Sequence, residues 1–131
     1  MKKILLSTLL LLAGTSSSAL ADWVRVSGND KVVVFADATT MRKKGNIVKI
    51  SSLFDFKTES VYNDGNSYMS IVRETEFNCK DNLQRMISYA IYAGKMGKGN
   101  VVDSGTNLQD WKPVSKAGIA ISMKKFACES E

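Results

Sequence analysis

The side chains that most often carry chemistry are few in this chain, and their spacing does not assemble a reaction centre. There is no histidine among the 131 residues. That removes Ser–His and Cys–His nucleophilic pairs, histidine-based zinc sites and the commonest general base near neutral pH. Ser122-Met123-Lys124-Lys125 has S-x-x-K spacing, but enzymes built on that motif need S-D-N and K-T-G partners and a larger scaffold. Lys95-Met96-Gly97-Lys98-Gly99-Asn100 mixes lysine and glycine as a phosphate loop does. Tyr92 stands where the first glycine of G-x-x-x-x-G-K-[ST] belongs, so the segment reads as a flexible, solvated hairpin. Glu74 and Glu76 share one strand face, as acids on the wet side of a sheet do. Asp64 sits in a calcium-like turn, but Ser60 and Tyr62 occupy the required acidic positions. No catalytic residue, metal site or cofactor is expected, and the chain does not read as an enzyme.

What remains is binding chemistry. Arg42-Lys43-Lys44, Lys95 with Lys98, and Lys124-Lys125 offer positive charge to acidic proteins, glycosaminoglycans or anionic head groups. Each also fits ordinary surface charge. Trp111 reads either as an interface aromatic or as a lid over the core. The candidate binding residues are Arg42, Lys43, Lys44, Trp111, Lys124 and Lys125.

The first segment addresses the chain. Met1-Lys2-Lys3 precedes an apolar run from Ile4 to Ala13, and small residues lead to Ala19-Leu20-Ala21. That is the pattern of a signal peptide, residues 1–21, cut after Ala21. The run is too short to cross about 30 Å of hydrocarbon, which takes roughly 20 residues. No cysteine lies near the junction, so neither a lipid anchor nor a transmembrane anchor is expected. The product, residues 22–131, fits one domain in the periplasm or the medium. Loss of Lys2 and Lys3 lowers the net charge from +5 to about +3. No basic stripe is visible, so no nucleic-acid partner is expected.

Cys79 and Cys128 are the two cysteines. In an exported chain an even count reads as a disulfide, and two cysteines allow one pairing. A redox or metal role needs C-x-x-C or histidine partners, which are absent.

Turn signals punctuate the chain: Gly28-Asn29-Asp30, Lys44-Gly45-Asn46, Asn63-Asp64-Gly65-Asn66 and Lys80-Asp81-Asn82. Between them, residues alternate with period two. Val48, Ile50, Phe54 and Phe56 share a face; so do Met69, Ile71, Thr75, Phe77 and Cys79; so do Leu83, Ile87, Tyr89 and Ile91. Such alternation marks an antiparallel meander with one buried face. From Ser115 to Cys128 the spacing changes. Ile119, Ala120, Met123, Phe126 and Ala127 fall on one helical face, with Ser115 as cap and Lys124 and Lys125 near the negative end of the dipole. Ile119, Ile121 and Met123 also alternate as a strand would.

The chain resembles the surface-adhesin E family of small exported bacterial proteins. The resemblance rests on Trp23, Val34-Phe35-Ala36-Asp37 with Thr40 and the turn Arg42 to Gly45, and Asp64-Gly65 before Tyr68-Met69-Ser70. It continues through Glu76-Phe77-Asn78-Cys79, Arg85, Tyr92, Gly94 and Trp111-Lys112-Pro113-Val114-Ser115, with Cys128 near the end. It implies an α+β fold: an antiparallel sheet of about six strands with one C-terminal helix packed on it, tied by the disulfide. It also implies a binding module that engages another protein, host matrix or serum protein or an envelope component. A soluble periplasmic accessory or inhibitor protein is the other role this sequence admits.

Overall fold

A computed structural model describes residues 22–129; the expected leader, residues 1–21, lies outside the described residues. The alternating runs become strands β1 Trp23–Gly28, β2 Val32–Lys44, β3 Ile47–Val61, β4 Ser67–Asn78, β5 Leu83–Tyr92 and β6 Val101–Thr106. They pair antiparallel in chain order, with a two-residue strand, β7 Lys112–Pro113, added beside β5. Short turns join neighbours, as antiparallel pairing permits. The last segment is the helix α1, Ile119–Glu129.

Helix and sheet form two layers, the least that buries one face of each. Val34, Ala36, Val48, Ile50 and Phe77 from β2, β3 and β4 pack against Met123 and Ala127 of the helix. Phe77, Ile50, Val34 and Val48 are fully buried, each worth roughly 1.5–3 kcal/mol relative to exposure. The helix lies mainly over β1 and β2 and reaches less of β4. Its C-terminal end is tied to the end of β4 by Cys79–Cys128, with Cα atoms 5.8 Å apart.

The helix is shorter than the sequence suggests. It starts at Ile119, not Ser115, because Val114 is buried in the core and residues 115–118 form the bend that follows. Gly118 completes the bend at φ +91°, a conformation that favours glycine. Ser115 Oγ accepts a bond from Ala117 N within that bend and caps no helix. Lys124 and Lys125 fall in the middle of the helix, and no basic residue occupies its last turn.

The opposite face of the sheet is also partly covered. A single 3-10 turn, Lys95–Gly97, lies on Leu53 and Val72. Ser70 Oγ donates to Gly94 O at 2.6 Å and accepts from Gly97 N at 2.9 Å. Asp55 Oδ1 accepts from Met96 N at 2.8 Å, and Lys95 Nζ stands 3.5 Å from Asp55 Oδ2. The flexible, solvated hairpin expected there is instead a fastened cover. Gly97 has φ +68°, and a Cβ on it would stand 3.3 Å from Leu53 Cδ1. Leu53, Asp55 and Ser70 are accordingly buried on the side facing away from the helix.

Candidate functional site

The register builds the site. One row across the sheet runs Ala36–Ser52–Arg73–Tyr89–Gly105, and the next runs Val34–Phe54–Ile71–Ile91–Asp103. Both rows belong to the helix-facing side, since Val34 and Ala36 lie in the core and cross-strand partners share a face. The helix covers the β1–β2 part of these rows. The β4–β5 part forms the floor of an open groove.

Arg73 stands in the middle of that floor. Its guanidinium carbon lies 4.4 Å from the centre of the Phe54 ring, a cation–π contact. Three recesses meet at this residue. One of about 250 Å³ runs toward the helix and is bounded by Phe54, Ile119 and Met123. A second, of about 350 Å³, runs past Thr75 and Gln84 to Gln109 and Lys112. The third, of about 210 Å³, has an apolar floor of Ile71, Met86 and Ile91. The ion pairs among the described residues are Arg85–Glu76 and Lys95–Asp55; Arg73 takes part in neither. No buried side-chain nitrogen or oxygen among the described residues lacks a partner, so the guanidinium N–H groups open into the groove. Burial pushes the Arg73 guanidinium down from its ordinary value, against an opposing pull from Tyr68; an arginine stays charged regardless.

The β6 end of the groove is closed by a phenol–carboxylate cluster. Asp103 Oδ2 accepts from Tyr62 OH at 2.6 Å and from Tyr89 OH at 2.9 Å. These two bonds hold the Asp103 carboxyl below its ordinary range, the Tyr62 bond most. The same bond pushes Tyr62 up to about 12, and Tyr89 is raised too, first by its bond to Asp103. The Tyr89 ring reaches Asp103 by lying over Gly105, where a Cβ would stand 3.2 Å from Tyr89 Cε1. Tyr62 and Tyr68, and Tyr68 and Phe56, meet edge to face. The groove therefore offers a cation, hydroxyls, amides and apolar floor. That combination suits recognition of an anionic group with apolar neighbours.

The residues expected from sequence to bind are dispersed. Arg42, Lys43 and Lys44 are exposed at the end of β2. Strand alternation puts Lys43 on one face and its two neighbours on the other, and Arg42 Nη1 turns back to Thr39 O and Met41 O. Lys124 is half-buried and donates to Asn82 Oδ1 at 2.6 Å, while Lys125 is exposed. Trp111 is half-buried and stands outside the helix-side core cluster. It stacks on Arg85, 4.3 Å from guanidinium to ring centre, and Arg85 pairs with Glu76 at 2.8 Å. A bulge between β4 and β5 at Ile87 moves Leu83 and Arg85 to the side facing away from the helix, so Leu83 does not share the face of Tyr89 and Ile91. Ser122 Oγ donates to Gly118 O at 3.1 Å, an ordinary bond to the preceding turn. Arg73, Tyr62, Tyr89 and Asp103 are not among the residues expected from sequence. The available signal is Arg73 itself, a charge on the strand face that carries Met69, Ile71, Thr75 and Phe77.

The family model of surface-adhesin protein E matches residues 23–129. The chain belongs to the surface-adhesin protein E family. Solved structures of Haemophilus influenzae protein E share this fold. One is 12% identical, with a TM-score of 0.64 over 84% of this chain and 86% of that one. A second crystal form gives 0.67, again at 12% identity, over 84% and 89%. Protein E from non-typeable Haemophilus influenzae gives 0.64 at 13% identity, over 86% and 79%. No match was found among curated proteins. Family membership makes this an adhesin-like surface protein, and no helix among the described residues is long and apolar enough to cross a membrane.

Proposed function

We propose that the chain is an exported binding module that engages another protein, of the host matrix, serum or bacterial envelope, without catalysis. Residues 1–21 direct export and are removed, and residues 22–131 act as one domain. The observation that carries this reading is the open groove over β4 and β5, floored by Ile71, Met86 and Ile91 around Arg73, which pairs with no carboxylate among the described residues, on a fold shared with an adhesin family. Its lining presents a cation, hydroxyls, amides and apolar surface. Lys43, Lys44 and Lys125, exposed on other elements, add long-range attraction for acidic partners and little contact.

The test joins location and capture. Surface labelling of intact cells, followed by fractionation, should find the protein accessible from outside. The purified protein should then hold a defined protein from envelope or host extracts in a saturable way. A protein confined to the periplasm that captures only periplasmic components would replace the adhesive role with an accessory or inhibitory one.

A further inference from the structure

We propose that the groove over β4 and β5 receives an extended peptide segment of the partner that carries one acidic side chain between apolar ones, the carboxylate seating on Arg73. The inference rests on the protein-binding reading above and names the chemistry of the segment bound.

Charge complementarity points to an acid. Arg73 lines all three recesses, Lys112 stands at the end of one, and no Asp or Glu lines any of them. A charge set among Ile71, Phe54, Met86 and Ile91 with no counter-ion among the described residues is unfavourable in the free protein. An incoming carboxylate supplies that counter-ion, and desolvation by the peptide strengthens the pair. The guanidinium fork matches a carboxylate with two parallel bonds.

Preorganisation points the same way. The Phe54 ring, 4.4 Å from the guanidinium carbon, restrains the side chain before binding, so less side-chain freedom is lost on contact. Ser52 and Tyr89 flank it in the same row, and the Tyr89 hydroxyl is already committed to Asp103. The fixed Asp103 carboxylate excludes a second acid at the β6 end, since like charges repel there. The polarity of the groove thus places the acidic residue centrally, with apolar residues toward Met86 and Ile91 on one side and Met123 on the other.

The shape selects a peptide. The recesses meet in one open trough across β4 and β5, beside the helix. Thr75, Gln84 and Gln109 line its rim and can bond the main chain of an extended segment. A lipid tail would leave these polar groups without partners.

The experiment titrates the purified protein with a short synthetic peptide bearing one glutamate between leucines, and with its glutamine counterpart, reading backbone amide chemical shifts. The glutamate peptide should shift amides of Ile71, Arg73, Met86 and Ile91 and bind at least about tenfold more tightly than the glutamine peptide. Arg73→Gln should abolish that preference, and Arg73→Lys should keep part of it. Equal binding of the two peptides, shifts confined to other surfaces, or no shifts would overturn the proposal. So would laurate binding in the groove with no peptide preference. If Arg73→Gln loses its dispersed spectrum, the peptide pair on the unaltered protein and on Arg73→Lys decides. No natural partner enters this titration, so its failure stands apart from failure of the fractionation and capture test.

Discussion

Arg73 is stacked on Phe54 at 4.4 Å and has no carboxylate partner among the described residues, whereas Arg85, on the neighbouring strand, is stacked on Trp111 at 4.3 Å and bonded to Glu76. Both guanidinium carbons lie over an aromatic ring at similar distance, and the two arginines differ in their counter-ion. Among the described residues Arg85 has its counter-ion and Arg73 has none. Replacing Arg73 with Met should therefore leave stability unchanged or raise it by up to about 1 kcal/mol, because relief of an unpaired charge offsets the lost stack. Chemical unfolding would measure this. A loss above about 2 kcal/mol would mark Arg73 as structural.

The disulfide should dominate stability. The helix has 11 residues, too few to persist alone in water, and Cys79–Cys128 spans a sequence separation of 49. Loop entropy gives roughly 4 kcal/mol for such a closure. Cys79→Ser should lower the midpoint of thermal unfolding by on the order of 10–20 °C. An unchanged midpoint in calorimetry would show that the bridge contributes nothing.

Two glycines with similar backbone should respond differently to alanine. Gly45 has φ +60° and open space where a methyl group would go, with nothing within 4 Å, while Gly97 has φ +68° with Leu53 Cδ1 at 3.3 Å from that position. Gly45→Ala should cost only the left-handed strain, about 1 kcal/mol. Gly97→Ala adds displacement of the 3-10 turn from Leu53 and Val72, for about 2–3 kcal/mol in total. Hydrogen exchange should show the amides of Met96 and Gly97 losing protection in the second variant alone.

The strands were legible because burial on one face imposes alternation: Val48, Ile50, Phe54 and Phe56 lie on the helix side as their spacing requires. Three features were not legible, for different reasons. The bulge at Ile87 reverses Leu83 and Arg85 relative to Tyr89, and no turn residue in the sequence announces it. Lys95 to Asn100 has the composition of a solvated hairpin, but its anchors, Asp55 and Ser70, lie on strands far away in the chain. The groove needs the helix to cover β1 and β2 and leave β5 open, which is a property of packing. Arg73 is the charged residue on the groove face of β4, and a single charge in an alternating run is weak notice.

Tyr62, Tyr89 and Asp103 should give stability a defined pH window. The Asp103 carboxyl is held low in the folded protein, so its contribution is present above the unfolded value near about 4 and is lost as pH falls through the folded value. Tyr62 is raised to about 12. Its contribution is full below about pH 10 and is lost as pH rises through about 12. The stability difference between the unaltered protein and Tyr62→Phe should be flat between these limits and shrink outside them. A difference that varies through neutral pH would contradict the assignment.

Partners should meet the groove and not the opposite side of the sheet. A photoreactive residue placed at Met86, on the groove floor, tests this against one at Lys49, whose cross-strand neighbour Glu76 lies on the far side. Irradiation of intact cells displaying each variant should yield covalent adducts with a partner protein from position 86 and none from position 49. Adducts from position 49 with none from position 86 would contradict the account.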